Sequence, residues 1–111
     1  RLRKYRELLP RFLEAKALAF SSEFDAIEAM NFFFDEGIKV PDQISITGYD
    51  DSIYASMVRP KLTTVHQDVR QKAHVALKRL MKLIQGETCT PYIHKTKEQH
   101  IERESVKKLQ K

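Results

Sequence analysis

At 111 residues, with 41% hydrophobic and 32% charged side chains, the chain has the balance of one soluble globular domain with a modest core, not of a disordered tail; its apolar stretches are too short to span a bilayer. A single cysteine, Cys89, leaves no intrachain disulfide and no thiol cluster for a metal, which fits an intracellular, cytoplasmic setting. The net charge of +5 is concentrated at the ends: residues 1–16 carry six bases against two acids and residues 95–111 six against three, while residues 17–94 carry eight against ten, so the positive charge reads as solvated surface and not as a nucleic-acid footprint.

Residues 1–15 place Leu2, Tyr5, Leu8, Leu9, Phe12 and Leu13 at helical spacing, with a break, kink or new first turn expected at Pro10. "ALAF", from Ala17, predicts a short buried strand. Ser22 followed by Asp25 three residues on is a helix-start signal, and predicts a helix over Glu23–Glu36 that Gly37 stops. That helix carries two apolar stripes, Ala26, Met30 and Phe33 on one side and Ile27 and Phe34 on the other, with Phe32 between them. One stripe suffices for a surface helix, so the surplus implies either deep burial or a partner chain.

Pro41-Asp42 is turn chemistry, and Ile44, Ile46 and Thr47 then predict a strand that runs into Gly48-Tyr49-Asp50-Asp51. "SIYASMVRP" reads as a short helical turn ended by Pro60, and "LTTV" as a further strand. Asp68–Gln85 is the clearest helix, lined by Val69, Ala73, Ala76, Leu77, Leu80 and Ile84 and closed by Gly86. "GETCTP" is a loop, and weak strand signals follow at "YIHK" and "QHIERES". Strands alternating with helices predict an α/β fold with a mostly parallel sheet.

Asp50 and Asp51 are the leading functional candidates, since ligands are held at strand ends in such sheets. On a strand they point to opposite faces, so they do not form a proton-sharing dyad unless the strand has ended. One carboxylate suits a polyol, a magnesium ion or a phosphoryl group; the competing reading makes both turn or cap residues. His66, His74, His94 and His100 lack zinc spacing and read as ordinary surface residues. Three scattered glycines allow no phosphate loop, and Ser21-Ser22 has no nucleophile elbow. No catalytic site, metal site or cofactor is assembled by these residues, so no enzyme is expected.

In chain order, "ALAFSSEFDAIEAMNFFFDEGIKVPDQISITGYDDS", "LTTVHQD" and "IERESV" resemble the effector domain of LacI/GalR-type bacterial transcription regulators, over about Ala17 to Val106. The resemblance implies the two-lobed, type I periplasmic-binding-protein fold, a parallel-sheet sandwich of which this chain holds only the C-terminal part. Residues 17–66 and 92–106 would form the C-terminal lobe, and the helix of residues 67–86 would cross to a first lobe not contained in the chain. It also implies that Asp50 binds hydroxyl or amine groups of a small effector, in first place a sugar, with Ser22, Gln67 and Val69 nearby. A homodimer would form through Ile27, Asn31, Phe34, Ile53, Tyr54 and Met57, and DNA would be met only through a separate reader domain.

The chain departs from the family pattern where Ser22-Glu23 replaces Asn-Asp, Glu28 a glycine and Asp25 a methionine; the missing amide at Ser22 puts that ligand contact in question. The segment "SSEFDA" is similar to arabinose-repressor-like members. The expected function is the sensing and dimerising part of a repressor, the alternative being a sugar-binding transport protein of the same fold. A phosphoryl-accepting receiver would need a companion acidic pair near the first strand and a lysine at a later strand end, and the sequence shows neither at those places. A helix 68–85 without its covering sheet is expected to dock on another chain, collapse onto the lobe or lose order.

Overall fold

A computed structural model describes residues 1–90 and 93–109. The elements run α1 (Leu2–Glu14), β1 (Ala17–Ala19), α2 (Glu23–Asp35), β2 (Ser45–Thr47), α3 (Ile53–Met57), β3 (Thr64–His66), α4 (Val69–Ile84) and β4 (Gln99–Ile101). They divide into two compact units, Arg1–His66 with the tail from His100, and Gln67–Gln99.

In the first unit β1 lies parallel to β2, with Ala17 opposite Ser45 and Ala19 opposite Thr47. The chain beyond β2 continues this parallel pairing onto the segment of β3: Gly48 N–H donates to Thr63 C=O and Asp50 N–H to Val65 C=O, both at 3.0 Å. β3 in turn pairs with β4. The core gathers Ala26, Ala29, Met30, Phe32 and Phe33 from α2 with Ile44, Ile46, Ala55 and Leu62. The tail is stitched in by Ser105, fully buried, whose hydroxyl donates to Ile46 C=O at 2.5 Å and accepts from Thr63 N–H at 2.9 Å.

Each local signal in α2 acts where expected. Ser22 Oγ accepts from Asp25 N–H at 3.2 Å, satisfying one donor that the first turn cannot pair, and Gly37 takes φ +74° just past the end. Phe32, placed between the two stripes, is buried by α1: Tyr5 and Phe12 meet Phe32 and Phe33 in an aromatic cluster with centroids 5.6–6.2 Å apart. Ile27 packs partly on the core while Phe34 is 83% exposed, so these two do not share one environment.

Three expectations require correction. α1 runs unbroken through Pro10. Pro10 and Arg6 are both exposed, so water can satisfy the Arg6 carbonyl that loses its donor, while Tyr5, Leu9 and Phe12 secure the helix on the core. Ile93–Lys95 of the "YIHK" signal form no strand, and Tyr92 lies outside the described residues. Finally, α4 does not lose its helical order. It is a regular 16-residue helix capped by Asp68, with Val69, Leu77, Leu80 and Ile84 exposed and no buried residue.

Candidate functional site

The site grows from the start of α2. Glu23, the first helical residue, is 4% exposed and turns its carboxylate under the loop that follows β2. Its Oε2 accepts from Asp51 N–H at 2.5 Å and from Thr64 Oγ1 at 2.7 Å. Its Oε1 accepts from Ser52 N–H at 2.7 Å and from the Ser52 hydroxyl. Four donors saturate this buried charge, which is the condition for burying it. Gly48 makes the approach possible: a Cβ there would stand 3.1 Å from Glu23 Cγ and 3.0 Å from Leu62 Cδ2.

Asp50 and Asp51 therefore part company. Both have left-handed backbone, φ +118° and +58°, so the strand has ended and its alternation no longer applies. Asp51 turns into the protein and takes Arg103 Nη2 at 2.7 Å and His66 Nδ1 at 2.9 Å. Burial works against its charge, but the bonds from Arg103 and His66 outweigh it and hold the carboxyl below the usual carboxylate range. Arg103 also donates to Leu62 C=O at 2.9 Å, and its amide donates to Thr63 Oγ1 at 2.8 Å. The Arg-x-Ser of the tail is thus a pair of structural ties, Arg103 to the loop and Ser105 to the sheet. His66, read from sequence as an ordinary surface residue, is half-buried and bound to Asp51, which corrects that expectation.

Asp50 stays exposed and lines, with Ser22 and Ser52, an open cavity of about 700 Å³. Phe24, Ile27, Glu28 and Asn31 follow along one face of α2 at helical spacing, and Tyr54 and Val58 from α3 and its end form the other wall. The structure therefore brings together Ser22 and Asp50 from the expected effector contacts, and Ile27, Asn31 and Tyr54 from the expected dimer residues. Ile53 and Met57 are exposed on α3 outside that lining, and Phe34 lines a separate groove with Ile38 and Pro60. Gln67 and Val69 belong to the second unit, where Gln67 Oε1 accepts from Lys72 Nζ and Val69 is exposed at the first turn of α4.

Sequence reading missed Glu23 as a structural acceptor and Phe24 as a wall. A helix-start acid is explained by the helix dipole alone, and only the fold shows its partner 41 residues away. Phe24 is 74% exposed and lies three residues before Ile27 on the same face of α2, so its spacing marks it as part of that stripe and not as the wall of a cavity. Among the described residues no group of three His, Cys, Asp or Glu side chains could hold a metal ion, and no helix is long and apolar enough to cross a membrane.

Residues 1–106 match the family described as periplasmic binding protein-like domain. A probable HTH-type transcriptional repressor, ExuR of Bacillus subtilis, is 36% identical over 90 residues, 80% of this chain and 27% of that protein. Among solved structures, the transcription regulator CcpA of Lactococcus lactis superposes with a TM-score of 0.84 at 26% identity, covering 96% of this chain and 40% of the other. A complex of the transcriptional regulator CelR with cellobiose gives a TM-score of 0.84 at 29% identity over 94% of this chain and 32% of the other. The chain spans about a quarter of the length of the curated relatives it matches.

Proposed function

The chain belongs to the periplasmic binding protein-like domain family, in its LacI/GalR-type regulator branch, and from that premise we propose that it is the effector-sensing and dimerising portion of a cytoplasmic DNA-binding repressor. ExuR, CcpA and CelR, to which the chain is similar, are transcription regulators, which supports this reading. The observation that carries the reading is Asp50: an exposed carboxylate just past a strand end, on strained backbone, facing a cavity that also holds the Ser22 hydroxyl. A carboxylate accepts from two hydroxyls of a vicinal diol, so the effector class is a sugar, in keeping with the cellobiose bound by CelR.

Sensing would work by differential affinity: the sugar binds one arrangement of the two lobes better and shifts the spacing of the DNA readers. In this reading residues 17–66 and 92–106 form the C-terminal lobe, and residues 67–86 belong to the other, so Gln67 and Val69 would meet the effector from across the cleft.

The apolar surface of α2 and α3 around and beyond this cavity fits a second copy of the chain. Ile53, Tyr54 and Met57 of α3 are each more than 60% exposed, and Phe24 and Phe34 more so, which is more apolar surface than a free lobe presents to water without reason. Thermal-shift screening of the intact regulator against pentoses, hexoses and disaccharides tests the sensing half; Asp50→Asn should weaken the responding sugar by about 1.5–3 kcal/mol, and an unchanged affinity with retained folding sinks the assignment. Ile27→Glu tests the other half, by moving a sedimenting dimer to monomer; a wild-type monomer at high concentration refutes it.

A further inference from the structure

We infer that Glu23 is the positioning residue of the effector site: it imposes the backbone turn at Asp50 and so aims the Asp50 carboxylate into the cavity. The inference rests on the reading of Asp50 as the effector contact. A left-handed φ is uncommon for any residue with a side chain, and φ +118° at Asp50, followed at once by +58° at Asp51, persists only if the surroundings over-determine it.

The restraint is visible. The two amides that follow Asp50, those of Asp51 and Ser52, both donate to the one Glu23 carboxylate, one to each oxygen. Converging two successive N–H groups on a single anion is what the left-handed backbone of Asp51 accomplishes, where an extended residue would point them to opposite sides; the torsions of Asp50 are in turn bracketed between its own N–H, held by Val65 C=O, and the Asp51 N–H, held by Glu23. Each oxygen also takes a hydroxyl, from Thr64 and from Ser52, so the anion is held by β3 and by the loop together. Glu23 is buried and saturated, which leaves it no capacity to serve as the sugar acceptor itself, although it lies against the cavity floor. Asp50 lines the same cavity and is exposed.

Glutamine separates charge from shape. The Ser52 and Thr64 hydroxyls can turn to accept from an amide, but the backbone N–H on each side cannot. Whichever way the Glu23→Gln amide faces, its NH2 group therefore opposes one of the two N–H donors, and one restraint on the turn is lost.

The test uses the intact regulator. Crystal structures of wild type and E23Q report φ at Asp50, and calorimetric titration with L-arabinose, D-xylose, D-glucose and cellobiose reports affinity, repeated in a D50N background. The expected result is an Asp50 φ that leaves the left-handed region, about tenfold weaker binding of the responding sugar, and less than about twofold further loss when E23Q is added to D50N, since residues acting through one another are not additive. Should E23Q not fold, Glu23→Asp keeps the charge but withdraws the oxygens by one methylene and serves the same readouts. An unchanged φ overturns the inference, as does a full tenfold loss on top of D50N. If D50N alone binds like wild type, the effector reading fails and the inference falls with it; if D50N weakens binding while E23Q changes neither φ nor affinity, only the positioning role fails.

Discussion

Replacing Asp51 with Asn tests how the loop is tied to the rest of the lobe. The Asp51 side chain is 18% exposed and Arg103 19%, so their bond at 2.7 Å is a partly desolvated charged pair, whereas His66 is 44% exposed and its bond is discounted for solvent screening. Asn keeps an oxygen for Arg103 but not the charge. The difference between a hydrogen bond to a charged group and a neutral one sets the expected loss at about 1–2 kcal/mol at pH 7. Ala removes both bonds and leaves the Arg103 guanidinium only Leu62 C=O, without a counter-charge, which raises the cost to about 2–3 kcal/mol. The pH dependence has a definite sign. Folding holds the Asp51 carboxyl below its ordinary value, so its contribution is present above the unfolded value near 3.8 and is lost as pH falls through the lower folded value. Urea melts of the intact regulator at pH 7 and over pH 5 to 2.5 measure both effects. The wild type should lose its advantage over D51N across the acid range. A D51N midpoint equal to wild type at pH 7, or a gap that widens with acid, would refute the assignment of Asp51 as a structural acceptor.

Three further substitutions follow from the same ties. Ser105→Ala strands Ile46 C=O and Thr63 N–H in a fully buried position and should cost about 1–3 kcal/mol in urea melts. Gly48→Ala places a methyl 3.0 Å from Leu62 Cδ2 and 3.3 Å from Glu23 Cα, and overpacking on that scale should cost about 1–3 kcal/mol while weakening effector binding through the displaced Glu23. Leu77→Glu, at a side chain 62% exposed within this chain, should change stability by less than about 0.5 kcal/mol if that exposure persists in the intact regulator, and by about 2 kcal/mol or more if the first lobe covers α4.

Much of the fold was legible because it follows from chemistry within one turn of the chain. Ser22, Asp68, Gly37 and the alternation of β-branched runs with amphipathic stretches mark their elements by contacts three or four residues apart. Asp50 was legible as a candidate for the same reason, since a carboxylate just past a strand reads locally. What stayed hidden depends on distant partners. Glu23 and Thr64, Asp51 and Arg103, and Ser105 and Ile46 are separated by 41, 52 and 59 residues, and no spacing rule connects them. Pro10 was misjudged in the other direction: the local cost of a proline was read correctly, but the aromatic contacts that hold α1 on α2 outweigh it.

The exposure of α4 is the physical sign that residues 67–99 do not complete a fold by themselves. A 16-residue helix without tertiary support is marginal in water, because most helical stability in proteins comes from packing an amphipathic face. Here that face is well made and uncovered, while the more enclosed positions, Lys72, Val75 and Arg79, belong to a different side of the helix. The first unit shows the opposite balance, with α2 burying six residues. The contrast between two helices of similar length is that α2 forms the core of the first unit, whereas α4 buries none of its residues and offers an apolar face that a surface supplied from elsewhere would cover. In the two-lobed arrangement proposed above that surface is the sheet of the first lobe. The chain would then leave the C-terminal lobe after His66 and re-enter it at His100, so that His66, bound to Asp51, and Arg103, bound to the same carboxylate, fasten both crossings to the loop that carries Asp50.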